Sequence, residues 1–188
     1  MKPTGNELKC AISGFALASL IALSFFAFVL LQHPLPQFAS GGCYLQKAIF
    51  SPDSESEIIS LFNSASKTID VQMYVFSNEN LARSLANAAR RGVVVRVLLE
   101  GRIEGVQQNR DTLDYLTENG AYAKWASFSY KLTHSKLAIA DGKYVLVGSI
   151  NFSNSAVSKN REAAALLSCN ENNDYAAMFE QDWQKAGA

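Results

Sequence analysis

The sequence predicts an α/β domain, a mixed β-sheet flanked by helices on both faces, preceded by one N-terminal transmembrane helix. Three observations carry this reading. "TIDVQMYVF" (68–76) alternates apolar residues as a strand does and is enriched in β-branched and aromatic residues. "VVVRVLLE" (93–100) is a nearly continuous apolar run of the kind found in strands covered on both faces, and a helical pattern separates the two. "CAISGFALASLIALSFFAFVLL" (10–31) runs 22 residues without a charge, which reaches the roughly 20 residues needed to cross a hydrocarbon core.

Taken from the N-terminus, residues 1–9 form a short tail and 10–31 the apolar segment. Residues 32–43, with His33, Pro34 and Pro36, read as a linker, and 44–188 as the folded domain. The apolar run exceeds the 7–15 residue core of a secretory signal, and "QHPLPQFASGGC" offers a poor cleavage site. An uncleaved anchor is therefore favoured, with secretion after signal cleavage as the alternative. Lys2 and Lys9 precede the segment and the next basic residue is Lys47. The positive-inside rule then places the domain on the extracytoplasmic side, in a periplasm or at a cell surface.

Within the domain, Asp53 or Ser54 is positioned to cap a helix carrying Ile58, Leu61, Phe62 and Ala65 on one face. The strand at 68–76 puts Ile69, Val71, Met73 and Val75 on one side. "NENLARSLANAARRG" follows as a helix with Leu81, Leu85, Ala88 and Ala89 aligned and Gly92 at its end. Strand, helix and strand at these lengths predict a parallel crossover. A helix over about 109–119, stopped by Gly120, leads to a strand in "AYAKWAS". "HSKLAIADGKYVLVGS" reads as a hairpin turning at Asp141-Gly142. "EAAALLS" is a further strand, and "NNDYAAMFEQDWQKA" an amphipathic helix facing Tyr175, Met178, Phe179 and Trp183 inward.

Composition narrows the function. Lys and Arg number 17, as do Asp and Glu. Without the first 42 residues, 15 basic and 16 acidic side chains remain, which excludes polyanion binding through bulk charge and leaves only local arrangements. The three cysteines, Cys10, Cys43 and Cys169, show no CxxC and no histidine cluster, so no metal site is expected. Cys43 and Cys169 lie near the two ends of the domain, either bridged or as two free thiols.

Chemistry concentrates in "THSKLAIADGKYVLVGSINFSNS" (133–155). On a strand, His134 and Lys136 point to one side, and the hairpin return brings Ser149 and Asn151 back to the same end of the sheet. Ammonium, hydroxyl and amide donors beside an imidazole suit a phosphate with a nucleophile next to it. Asp141, in the turn, points away and reads as structural.

His-x-Lys-x4-Asp followed by Gly-Ser-x-Asn-Phe resembles the signature of the phospholipase D superfamily, and Glu162 in "KNREAAALL" matches the acidic residue on its next strand. "TIDVQMYVFSN" and "ARRGVVVRVLLE" also resemble the strand and crossover before that motif. The resemblance spans residues 48 to about 182. Members commonly carry two such motifs in one chain; this chain carries one. That matches the short single-motif branch of bacterial Nuc-like endonucleases and membrane-anchored mitochondrial forms, both of which act as homodimers, and the chain resembles the Nuc-like endonucleases of that branch. The resemblance implies a metal-independent phosphodiesterase without cofactor. His134 attacks phosphorus, His134 of the mate protonates the leaving alkoxide, and Lys136 and Asn151 hold phosphoryl oxygens. Ser149 adds a contact and Glu162 orients the imidazole. A nonspecific endonuclease acting on DNA or RNA is the first expectation. A membrane-anchored hydrolase of phospholipid such as cardiolipin is the second, and a catalytically silent binding module the third. Arg83, Arg90, Arg91, Arg102, Arg110, Lys131 and Lys159 are candidates for contacts along a polymer.

Overall fold

The two apolar runs at 68–76 and 93–100 become neighbouring parallel strands, fifth and sixth in the order of a seven-stranded sheet. The structure is a computed structural model and describes residues 42–171 and 173–187; the anchor at 10–31 and most of the linker lie outside the described residues. The strands are β1 (Tyr44–Phe50), β2 (Thr68–Met73), β3 (Val94–Leu99), β4 (Tyr122–Trp125), β5 (Lys136–Ala140), β6 (Tyr144–Gly148) and β7 (Ala163–Ser168). The helices are α1 (Glu55–Ser64), α2 (Glu79–Arg90), α3 (Val106–Glu118), α4 (Asn154–Ser158) and α5 (Asp174–Lys185). Spatial order is β1-β7-β6-β5-β2-β3-β4, with β2, β3 and β4 mutually parallel and the other pairings antiparallel. Among the described residues no helix is long and apolar enough to cross a membrane.

Helices α1, α2 and α3 cover one face. Ile58, Phe62, Leu81, Leu85 and Leu116 meet Ile69, Val71, Met73, Val95, Val97 and Leu99 in one cluster. Phe152 joins it, with its ring edge-on to Phe62 and Phe76 at 5.9 and 5.2 Å. Helix α5 covers the other face, where Phe179 packs with Leu98, Leu137, Ile139 and Val145. Helix α2 begins at Asn78, whose side chain accepts from Leu81 N–H, and ends where Gly92 takes φ 89°.

Two local expectations need correction. Ser54 holds the N-cap position of α1, yet neither it nor Asp53 caps by its side chain; the Ser54 hydroxyl donates to the Val157 carbonyl instead. Met178 is exposed, because Tyr175, Phe179 and Trp183 define the inward stripe and Met178 sits about 100° off it. In β3, Arg96 pairs in register with Asp70 on β2 and clasps it through Nε and Nη2 at 2.7 and 2.9 Å. The Phe179 and Trp183 rings lie against that guanidinium. The edge strand β1 and the short α4 have no counterpart in the sequence reading. Cys43 and Cys169 form a disulfide that ties the start of β1 to the end of β7.

The β5–β6 hairpin turns through Asp141 and Gly142, both left-handed at φ 54° and 65°. Asp141 tolerates that conformation because its carboxylate is saturated. It accepts from the backbone N–H groups of Ser66, Lys67 and Thr68 at 2.7 to 3.2 Å and from the Ser66 hydroxyl. Burial pushes this carboxyl up, but the donors outweigh it and hold it below the ordinary carboxylate range. Asp141 thus fastens the hairpin to the α1–β2 connection, at the end of the sheet away from His134.

The Asp141→Asn variant should lose about 1–3 kcal/mol of folding stability at pH 7, read by chemical denaturation. The folded carboxyl is depressed, so its contribution is present above the unfolded value near pH 4 and fades as pH falls through the folded value. The gap between wild type and variant should close on acidification; a pH-independent gap would contradict this account.

Candidate active site

Strand pairing gathers the motif at one end of the sheet. Met73, the last residue of β2, lies opposite Lys136, the first of β5. The ladder extends one step further, Tyr74 N–H donating to Ser135 C=O at 3.1 Å. His134 therefore projects just beyond the sheet, exposed, with Lys136 half-buried behind it. Lys136 Nζ donates to the His134 carbonyl at 2.8 Å and lies 3.1 and 3.2 Å from the two ring nitrogens. The Tyr74 ring packs 4.4 Å from the imidazole, centroid to centroid, and 4.8 Å from Lys136 Nζ.

The second arm arrives from β6 and β7. Gly148 has no room for a side chain: a Cβ there would lie 2.3 Å from the Ala163 carbonyl oxygen. That close approach sets Ser149 beside Glu162, to which its hydroxyl donates. Glu162 also accepts from Asn160 Nδ2 at 3.2 Å. Asn151 is held at the end of β2, its Oδ1 accepting from Val75 N–H at 3.3 Å, which leaves its amide NH2 as the donor. Ile150 and Phe152 on either side of it are buried.

The structure thus brings His134, Lys136, Ser149, Asn151 and Glu162 to one sheet end and places Asp141 at the other. One expected contact differs. The Glu162 carboxylate engages Ser149 and Asn160, and the polar side chain beside the imidazole is Lys136 rather than Glu162. Glu162 still acts on the pair through space. Burial pulls the Lys136 ammonium below the ordinary lysine range, and the Glu162 charge opposes that pull.

Tyr74 was missed in the sequence reading, where it is one more aromatic in a strand; only the β2–β5 register places it against His134. Of the basic residues considered for polymer contact, Arg90 and Arg91 lie at the far end of α2. Arg90 bonds Asn87 and Asn119, and Arg91 bonds the Phe62 carbonyl. Arg83 bonds Asn80 on its own helix, and Arg102 is committed to Glu100. Arg110, Lys131 and Lys159 are exposed. Among the described residues no three His, Cys, Asp or Glu side chains gather so as to hold a metal ion.

Comparison with known proteins points to one family. The family described as "Cardiolipin synthase, PLD-like domain" matches residues 58–183. The mitochondrial cardiolipin hydrolase of Mus musculus is 28% identical over 161 residues, covering 83% of this chain and 67% of that protein. Its counterpart in Chlamydomonas reinhardtii is 26% identical, covering 77% and 63%. The phospholipase D of Rickettsia prowazekii is 29% identical, covering 67% and 58%. The chain therefore spans about three fifths to two thirds of the length of these curated relatives. Among solved structures, the phospholipase D family member Nuc from Salmonella typhimurium superposes with a TM-score of 0.70 at 22% identity, covering 77% of this chain and 97% of Nuc. NucT from Helicobacter pylori gives 0.63 at 19% identity, covering 77% and 98%.

Replacing Glu162 by Gln removes the charge that opposes burial at Lys136. The Lys136 ammonium should then titrate at lower pH than in wild type, measured by NMR of its side-chain carbons. An unchanged or higher titration point would break the proposed coupling between the two arms of the site.

Proposed function

Because the chain belongs to the phospholipase D superfamily, whose members are phosphodiesterases, we propose that it is a metal-independent nuclease. It cleaves DNA or RNA without sequence preference, through a phosphohistidine on His134, in an active site shared by two copies of the chain. The observation carrying this reading is the exposed His134 imidazole, set beside the Lys136 ammonium at the same end of the sheet as the Ser149–Glu162 hydroxyl–carboxylate pair.

An imidazole nitrogen of His134 attacks phosphorus, forming a P–N bond as the P–O bond to the leaving group breaks. The imidazolium of the mate's His134 gives its proton to the departing alkoxide. Now neutral, it takes a proton from water as that oxygen attacks phosphorus, and the P–N bond breaks. Lys136 and Asn151 donate to the non-bridging oxygens and stabilise the charge of the trigonal-bipyramidal state. Ser149, aligned by Glu162, adds a hydroxyl. The second histidine is the reason for the homodimer.

The open site suits a long polymer, and exposed Arg110, Lys131 and Lys159 suit contacts to its phosphates. Phospholipid hydrolysis is the second reading. Exposed Phe50 and Phe128 each carry an arginine against the ring, and the relatives named for cardiolipin hydrolysis and phospholipase D favour it. Both readings place the domain outside the cytoplasm, held by the apolar segment at 10–31. The Cys43–Cys169 disulfide supports an oxidising compartment.

The full chain in excess EDTA should cleave labelled DNA or RNA, and His134→Ala should lose at least about 10³-fold in kcat. Acid quenching should trap phosphate on His134. With wild-type and His134→Ala chains mixed during folding, activity should follow the square of the wild-type fraction; a linear dependence would refute the shared site. Cardiolipin turnover with nucleic acids left intact would replace the nuclease with the lipid hydrolase.

A further inference from the structure

The ten residues 126–135 leave β4 at one edge and enter β5 on the far side of β2 and β3, so they cross the ends of both strands. This loop delivers His134, and it has no helix or strand of its own. Its outer ends are fixed by Ala126 N–H donating to Leu99 C=O and by the Tyr74–Ser135 bond. The stretch between them rests on two residues just beyond β3. Glu100 is fully buried, and its carboxylate accepts from Thr133 N–H, the residue before His134. It also accepts from Arg102 three times: from the backbone N–H at 2.8 Å, from Nε at 2.7 Å and from Nη2 at 2.8 Å. The same guanidinium reaches onward, donating to the Tyr130 carbonyl at 2.6 Å and the Ser127 carbonyl at 3.2 Å.

We infer that Glu100, with Arg102 as its counter-ion, is a positioning residue for His134. A single buried carboxylate fixes the backbone immediately before the nucleophile, and its arginine fixes the rest of the loop. The inference rests on the reading of His134 as the nucleophile. The geometry has an independent sign of purpose: an isolated charge would not survive burial, and here every lone-pair direction is answered by a donor. Burial pushes the Glu100 carboxyl up, but Arg102 and the Thr133 N–H outweigh it and keep it ionised. Buried Asn109 braces the same corner by donating to the Tyr74 and Glu100 carbonyls. On the solvent side, the Tyr130 hydroxyl donates to Asp182 and accepts from Lys185, both on α5. Glu100 does not touch substrate in this account; it acts through the Thr133 amide.

The test uses the full chain and a small activated diester, bis(4-nitrophenyl) phosphate, which needs no polymer contacts. E100Q keeps the shape but replaces one carboxylate oxygen by an NH2 group, so the two donors that meet that oxygen lose their acceptor. It should lower kcat about 100-fold, as expected for a displaced reacting group, with KM within about twofold of wild type. R102K keeps the positive charge beside Glu100 while losing the fork and the reach to Ser127 and Tyr130, and it should lower kcat about tenfold. Should E100Q fail to fold, R102K decides alone. The second readout needs no activity. The chain has two histidines, His33 and His134, so the His134 imidazole signal is assigned by its loss in H134A. That signal should shift and broaden in both variants. Folded variants with wild-type kcat and an unmoved His134 signal overturn the inference. If wild type hydrolyses no phosphodiester, the functional reading fails while the imidazole signal still decides the positioning.

Discussion

The antiparallel pairing of β5 with β2, with Met73 opposite Lys136, is the constraint on which the site depends. Side chains alternate across a strand, so a slip of one residue would turn Lys136 toward the α5 face and into the apolar cluster of Leu137, Ile139, Val145 and Phe179. Desolvating an ammonium there without a partner is prohibitive. The apolar residues of β5 enforce the same register from both sides: Leu137 and Ile139 join the cluster of Phe179, while Ala138 and Ala140 lie opposite Val71 and Ile69 in the other cluster. Asp141 locks the other end of the hairpin to the α1–β2 connection. Packing at one end of the strand thus sets the chemistry at the other.

How much of this could be read from the residues depends on whether the cause was local. The β2–α2–β3 crossover, the Asp-Gly hairpin and the motif residues announce themselves through periodicity, turn chemistry and spacing. The residues that escaped depend on partners far along the chain. Glu100 reads as the polar end of an apolar strand; its importance comes from an amide 33 positions away. Tyr74 reads as a strand aromatic until β5 is laid beside it. Strand β1 escaped for a different reason. Ile49 alone of its seven residues is buried, so there is no alternation to see, and the strand is held by backbone pairing to β7 and by the disulfide.

The same distinction explains a neutral chain with a charged site. Two carboxylates are buried in or beside the sheet, and each meets an arginine fork. Asp70 sits mid-strand on β2, where burial raises its carboxyl more than Arg96 lowers it. Glu100 sits at the sheet end, where Arg102 and two backbone amides win over burial. The first pair joins β2, β3 and α5, since Arg96 also reaches Glu180. The second holds a loop. Charge in this domain is organised as local pairs that fasten elements, which is why net charge says little about what the site binds.

That organisation also limits what one chain can do at phosphorus. Lys136 on β5 and Ser149 and Asn151 just after β6 reach the site from one end of the sheet, where His134 is exposed. An in-line displacement needs a nucleophile and a proton donor on opposite faces of the phosphoryl group. Among the described residues, Glu162 accepts from Ser149 and Asn160, and Glu100 lies buried under the loop behind His134. Lys136 gives one of its three protons to the His134 carbonyl and lies on the same side as the nucleophile. An identical half with its own His134 would, under the two-chain reading, supply the second face of the phosphoryl group. Under the two-chain reading, whatever holds the 126–135 loop in one subunit sets both the attacking nitrogen of its own reaction and the proton donor of its mate's.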